Sequence, residues 1–239
     1  MNIHEGAITF SPQNSFFHIQ CARFKMKKYL TEFIGTFFLV LTAVLVNQQP
    51  GIIPMAPWAI AGVYMGMVLA GGGLSGAHYN PVLTLVGLMN RKLSRTDTLY
   101  YLVAQLIAAT MAASIGVFLH ECGGGTSIIT RIQEQSLCVV MAEFFGTFAL
   151  TYTLMHVAFV PSAEGSLQHG ITAAFLLVAL SYTFGRLSGG FFNPALAFGA
   201  SVAGMIAWED LWGYVLGPGL GAAAGATVYQ LINTPDDGY

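Results

Sequence analysis

The sequence predicts an all-α membrane protein: six transmembrane helices plus two re-entrant half-helices, arranged as an inverted 3+3 repeat. Three observations carry that prediction. Of 239 residues 55% are hydrophobic and only 8% are charged, against roughly a quarter charged in an ordinary soluble domain. Six apolar runs come near the ~20 residues that a hydrocarbon core of about 30 Å requires of a helix. Two short motifs each occur twice along the chain, at almost the same displacement.

The six runs lie at 29–46, 56–70, 99–119, 137–160, 168–184 and 211–232, the second and fifth being short. Gly and Pro punctuate the junctions, and the 28 glycines suit the close backbone approach that helix packing in lipid favours. Residues 1–25 are read as a mobile N-terminal tail and 26–239 as a single domain, with repeat one at about 26–120 and repeat two at about 136–233. The tail lacks the apolar core of a signal peptide, and Met26 is a second candidate start.

Lys and Arg concentrate in cytoplasmic loops of membrane proteins. Arg23, Lys25, Lys27 and Lys28 precede the first span, and Arg91, Lys92 and Arg95 lie between the second and third. With both termini cytoplasmic in the cell membrane, these seven face inward and only Arg131 and Arg186 face outward; Arg186, seven residues before the second Asn, is read as a solvated or lipid-facing loop residue, the alternative being that it swings in toward the pore. Nine cationic against eleven acidic residues offer no basic face for nucleic acid. Cys21, Cys122 and Cys138 lack the spacing of a metal site or disulfide framework. Cys122 and Cys138 are a candidate pair, but the expectation is buried thiols.

The repeat is specific. EFIGTF at 32–37 reappears as EFFGTF at 143–148, and SGAHYNPV at 75–82 reappears as SGGFFNPA at 188–195. The displacement is 111 residues for the Glu pair and 113 for the Asn pair. Each unit holds three spans, an odd number, so the second copy enters the membrane from the opposite side.

Each Asn-Pro pair opens a short apolar stretch, 80–90 and 193–204, too short to span. Asn is a favoured N-cap, and Pro suits the first helical position, where no amide is needed. Eleven residues at 1.5 Å each reach about 16 Å, half the hydrocarbon thickness. Two such half-helices entering from opposite sides meet at the midplane and place two partly positive N-termini at one point. That point repels cations. The Asn amides can still donate to a neutral oxygen, and irregular backbone at this depth must line water or protein.

The paired boxes Asn80-Pro81-Val82 and Asn193-Pro194-Ala195, each downstream of a Glu-x-x-x-Thr first span, resemble the aquaporin and glycerol-facilitator family from about Met26 to Asn233. The resemblance implies a channel for water and small neutral solutes in the lipid bilayer, a homotetramer with one pore per subunit, and a scaffold role for Glu32 and Glu143 in holding the loops. An intramembrane acid is costly enough to demand such a role. It also locates an outer constriction, which by spacing falls on Ile60, Ser181, Gly190 and Leu196.

Two positions depart from the family's pattern. Val82 stands for the usual Ala of the first box, a conservative change. Leu196 stands where the family usually carries an Arg, so the ring is apolar and wide and lacks a cation worth about 4 kcal/mol against another cation at 4 Å in an effective dielectric near 20. That predicts a permissive neutral-solute channel, with glycerol, urea and dissolved gases as candidates beside water. Alternatives are an inverted-repeat secondary transporter and a non-conducting structural homologue. No nucleophile with a matched base, metal cluster or phosphate loop is found, so neither an enzyme nor a cofactor is expected. His78 is read as a loop residue, and His120, His156 and His169 as residues at span ends or packed within them.

Overall fold

The computed structural model describes residues 12–49, 51–125, 136–158 and 165–233. Within them eight α-helices follow in order: α1 (Pro12–Asn47), α2 (Ala56–Ser75), α3 (Pro81–Met89), α4 (Arg95–Cys122), α5 (Ser136–Ala158), α6 (Gly165–Ser188), α7 (Pro194–Val202) and α8 (Gly213–Asn233). Short 3-10 turns at Ile53–Met55 and Trp208–Asp210 lead into α2 and α8. Six helices are long and apolar enough to cross a membrane; α3 and α7, of nine residues each, are not.

The chain folds as two interlocked copies of one unit. α1 packs on α2 and α4, and α5 packs in the same way on α6 and α8. α2 meets α6 and α3 meets α7, so the two copies join along a pseudo-two-fold axis. α7 also lies against α4 and α1, while α3 lies against α4 and α8. Each half-helix is thus wedged between both copies.

Close approach is bought by small residues. A Cβ at Gly217 would come 2.7 Å from the Val140 carbonyl oxygen, and one at Gly225 would come 2.8 Å from that of Phe148. In the first copy, Ala108, Ala109, Ala112 and Ala113 of α4 are fully buried. Dispersion contacts between tightly packed backbones can hold helices together where lipid offers no hydrophobic drive.

The two spans read as short are longer than expected. α2 continues through Gly71, Gly72 and Gly73 to Ser75, and α6 runs from Gly165 to Ser188. Glycine's weak helix propensity is overridden by packing, for Gly71 faces Thr31 and Tyr79 closely enough that a Cβ would collide with both. α1 begins at Pro12, so its backbone is helical through the second half of the segment read as a tail. Residues 1–11 of that tail, Arg131, and the last two residues of the fourth predicted span lie outside the described residues.

Candidate functional site

Each glutamate of the repeated motif holds the loop that leads into a half-helix. Glu32 Oε1 accepts from the Ser75 hydroxyl (2.6 Å) and the His78 N–H (3.0 Å), and Oε2 from the Tyr79 N–H (2.8 Å) and the Gln105 amide (2.9 Å). In the second copy, Glu143 Oε1 accepts from the Ser188 hydroxyl (2.6 Å) and the Phe191 N–H (2.9 Å), and Oε2 from the Phe192 N–H. Both acids are fully buried. A carboxylate satisfied by three or four donors is tolerable where bulk water is absent.

The motif's glycine has a separate task. A Cβ at Gly35 would overlap the Tyr79 ring, and one at Gly146 would overlap the Phe192 ring. These are the residues immediately before the two Asn caps, and both sit at positive φ, 49° and 48°. Such a conformation is uncommon for bulky residues and persists only when the surroundings enforce it. Here the glutamate clamps the amide and the glycine receives the ring.

The two half-helix tips meet. Asn80 caps α3 by accepting from the Val82 N–H (3.1 Å), and Asn193 caps α7 by accepting from the Ala195 N–H (2.9 Å). The side-chain amide of Asn80 then donates to the Phe192 carbonyl (3.0 Å), and that of Asn193 donates to the Tyr79 carbonyl (2.9 Å). Each cap is therefore tied to the other copy. One N–H of each amide stays unused by these bonds.

The copies differ around this shared frame. His78 lies edge-on to Tyr101 (5.5 Å), as Phe191 does to Tyr214 (5.4 Å). The first copy adds a polar web in which the Thr84 hydroxyl meets His78 Nδ1 (3.2 Å) and Gln105 Nε2 (3.0 Å). At the same displacement the second copy has Ala197 and Pro218.

A cavity of about 490 Å³ runs along the tips. Asn80 and Asn193 line it, as do all four positions assigned to the constriction, Ile60, Ser181, Gly190 and Leu196. Gly190 packs so tightly on α6 that a Cβ there would lie 3.2 Å from Ser181 Cα. Its positive φ of 68° is not the whole reason for glycine, since Ala77 holds the matching position in the first copy at 51°. Val82 faces Val86, Met155, Ala222 and Ala226, so its extra carbons fill a helix contact.

Two expectations change. Arg186 lies on the last turn of α6 and not in a loop, and it is exposed at the rim of the same cavity. The helix extends a turn beyond its apolar pattern and carries the side chain round to the cavity. Cys122 and Cys138, at the last residue of α4 and in the first turn of α5, are exposed thiols that form no disulfide, so neither the buried-thiol expectation nor the candidate pair holds. The side chain of Cys21 lies outside the described residues. Tyr64 was not singled out by sequence, although its place on α2, four residues after Ile60, signals it. Among the described residues no group of three or more His, Cys, Asp or Glu could hold a metal.

The pattern of the major intrinsic protein family matches residues 19–229. "Glycerol uptake facilitator protein-like 6" of Lactiplantibacillus plantarum is 32% identical over 226 residues, covering 88% of this chain and all of that one. "Aquaporin NIP1-4" of Oryza sativa subsp. japonica is 34% identical over 221 residues, covering 89% of this chain and 79% of that one. The solved aquaglyceroporin of Plasmodium falciparum superposes with a TM-score of 0.74 at 18% identity, over 86% of this chain and 95% of that one, and so shares the fold. The chain therefore belongs to the major intrinsic protein family, a family of passive membrane channels.

Proposed function

We propose that this chain is a passive pore for water and small uncharged solutes such as glycerol or urea, and that it excludes ions at the midplane through its paired half-helix N-termini. The observation that carries the reading is the reciprocal tie between Asn80 and Asn193. It brings two N-termini, each worth about half a positive charge, to the same cavity. A neutral oxygen can accept from the spare amide hydrogens. A cation meets two partly positive helix ends in a weakly screening medium.

The outer ring supports a preference for solutes bulkier than water. Ile60, Gly190 and Leu196 offer no polar side chain, and Ser181 offers one hydroxyl, so the ring holds solutes weakly and does not close on a single water. Arg186 adds positive potential to the same cavity. By family resemblance the assembly is a homotetramer in the cell membrane, and the distribution of Lys and Arg favours both termini in the cytoplasm.

Stopped-flow light scattering on reconstituted protein tests the reading. The parent is expected to pass water and glycerol well above protein-free liposomes, and Leu196→Arg to keep water flux while cutting glycerol flux about tenfold, since a guanidinium in the ring both narrows it and must be desolvated. Parent rates equal to the liposome control would identify a non-conducting homologue. Uptake against a gradient driven by protons or sodium would identify a transporter, a reading disfavoured by Glu32 being already engaged with four donors.

A further inference from the structure

Arg91 and Lys92 lie on the turn that joins α3 to α4, and Arg95 opens α4. All three are exposed. With Leu88, Met89 and Ser94 they line an open cleft of about 610 Å³, and no acidic residue lines it. The turn that carries them is fixed. Arg91 takes the left-handed conformation that ends α3 (φ 57°), and the N–H groups of Arg91 and Lys92 donate back to the Leu88 and Gly87 carbonyls (3.0 and 2.8 Å). Leu93 packs on Gly87, where a Cβ would lie 3.3 Å from Leu93 Cδ1. Ser94 caps α4 by accepting from the Asp97 N–H (3.0 Å), and the Gln230 amide of α8 reaches Asn90 (2.9 Å). Holding three like charges on one short turn costs repulsion, which an anion among them relieves.

An uncovered apolar face begins one turn beyond Arg95. Leu99, Val103 and Ile107 of α4 are 61%, 45% and 50% exposed, whereas Tyr101, Gln105 and Ala108 on its other side are buried. From Arg95 to Ile107 the helix rises about 18 Å, a little more than the ~15 Å of hydrocarbon in one leaflet. Among the described residues the one acid at this end of the bundle is Asp97. It is engaged by the Tyr29 hydroxyl (2.6 Å) and by the charges of Lys28 and Lys25. A second copy of the chain at the same depth therefore brings no unengaged acid, among the described residues, to meet the three bases.

We propose that the α3–α4 turn and the outer face of α4 together bind an anionic phospholipid, its phosphate held by Arg91, Lys92 and Arg95 and an acyl chain lying along Leu99, Val103 and Ile107. Guanidinium forks match phosphate oxygens, and a lysine adds a point charge. Topology asks only that bases lie on one side of the membrane. It does not ask that they be gathered on a fixed turn at the foot of an apolar face. None of the residues lining this cleft lines the cavity at the half-helix tips. The inference thus rests on the membrane-spanning fold and not on which solute passes.

Dioleoyl phosphatidylglycerol and dioleoyl phosphatidylcholine share their chains and differ in net charge. Titrated into detergent-solubilised protein and read by native mass spectrometry, the parent is expected to bind the glycerol lipid more than about tenfold more tightly than the choline lipid. Arg95→Gln should lower that preference about fivefold, the size expected of one base near an anionic lipid. The triple variant Arg91→Gln/Lys92→Gln/Arg95→Gln should abolish it, and Lys27→Gln, which removes an exposed base of α1, should leave it unchanged. Leu99→Asn should weaken both lipids alike. Lipid-free thermal midpoints of these variants should match the parent's, because the altered side chains are exposed. Equal affinity of the parent for the two lipids overturns the inference, as does an equal loss in Lys27→Gln and Arg95→Gln, which marks a diffuse field and not a site. Displacement of phosphatidylglycerol by inorganic phosphate at equal concentration overturns the lipid assignment in favour of a soluble anion. Loss of subunit assembly in Leu99→Asn also overturns it, by giving the α4 face to a second copy.

Discussion

Glu32→Ala is expected to leave almost no folded protein. The substitution strands the Ser75 hydroxyl, the N–H groups of His78 and Tyr79, and the Gln105 amide, all of which now point at one carboxylate. Each buried donor left without a partner costs about 1–3 kcal/mol, and four of them rival the ~5–15 kcal/mol that holds a typical domain together. Glu32→Gln keeps the shape and one acceptor oxygen but turns an NH2 group toward donors. It should fold in reduced yield, destabilised by about 2–4 kcal/mol on the same per-donor scale. Size-exclusion profiles and thermal melts in detergent check both. A parent-like melt for Glu32→Ala would mean that the loop is held by something other than these four bonds.

Gly146→Val should be nearly as damaging, by steric means. Even a bare Cβ at this position overlaps the fully buried Phe192 ring. Phe192 cannot retreat freely, because its N–H is held by Glu143 and its carbonyl receives the Asn80 amide. Overpacking a well-filled core typically costs about 1–3 kcal/mol, and here the strain passes directly to the backbone that joins the two tips. The expected result is low yield, with solute flux in the surviving protein reduced more than tenfold. Adding Phe192→Ala makes room for the valine, so the double variant should recover yield over Gly146→Val alone, the non-additivity expected of residues in contact. Equal yields for the single and double variants would contradict the ring-into-glycine account.

Much of this arrangement was legible in the sequence because lipid permits few solutions. Apolar length sets the spans, and the displacement between EFIGTF and EFFGTF, matched by that between the two Asn-Pro boxes, set the inverted repeat. The Asn-Pro dipeptide identified both caps, since only a helix start uses an N-cap followed by a residue lacking an amide. What the sequence concealed depends on distance in space. Nothing along the chain reveals that Gly35 and Gly146 serve rings 44 and 46 residues away, or that Gln105 reaches the Glu32 carboxylate from 73 residues away. Arg186 reads as a loop residue because its helix outlasts its apolar pattern by a turn. Tyr64 reads as one more apolar residue of a span until it is found lining the cavity.

Under the proposed function, two half-helices capped by Asn80 and Asn193 and tied to each other's backbone would make a lane open to neutral molecules and shut to ions. Paired recordings on the same proteoliposomes test it most directly: glycerol flux by light scattering, and proton leak by an entrapped pH-sensitive dye under an imposed potential. The account predicts glycerol flux well above protein-free vesicles with a proton leak equal to theirs. A proton leak that rises in step with the amount of reconstituted protein would contradict it.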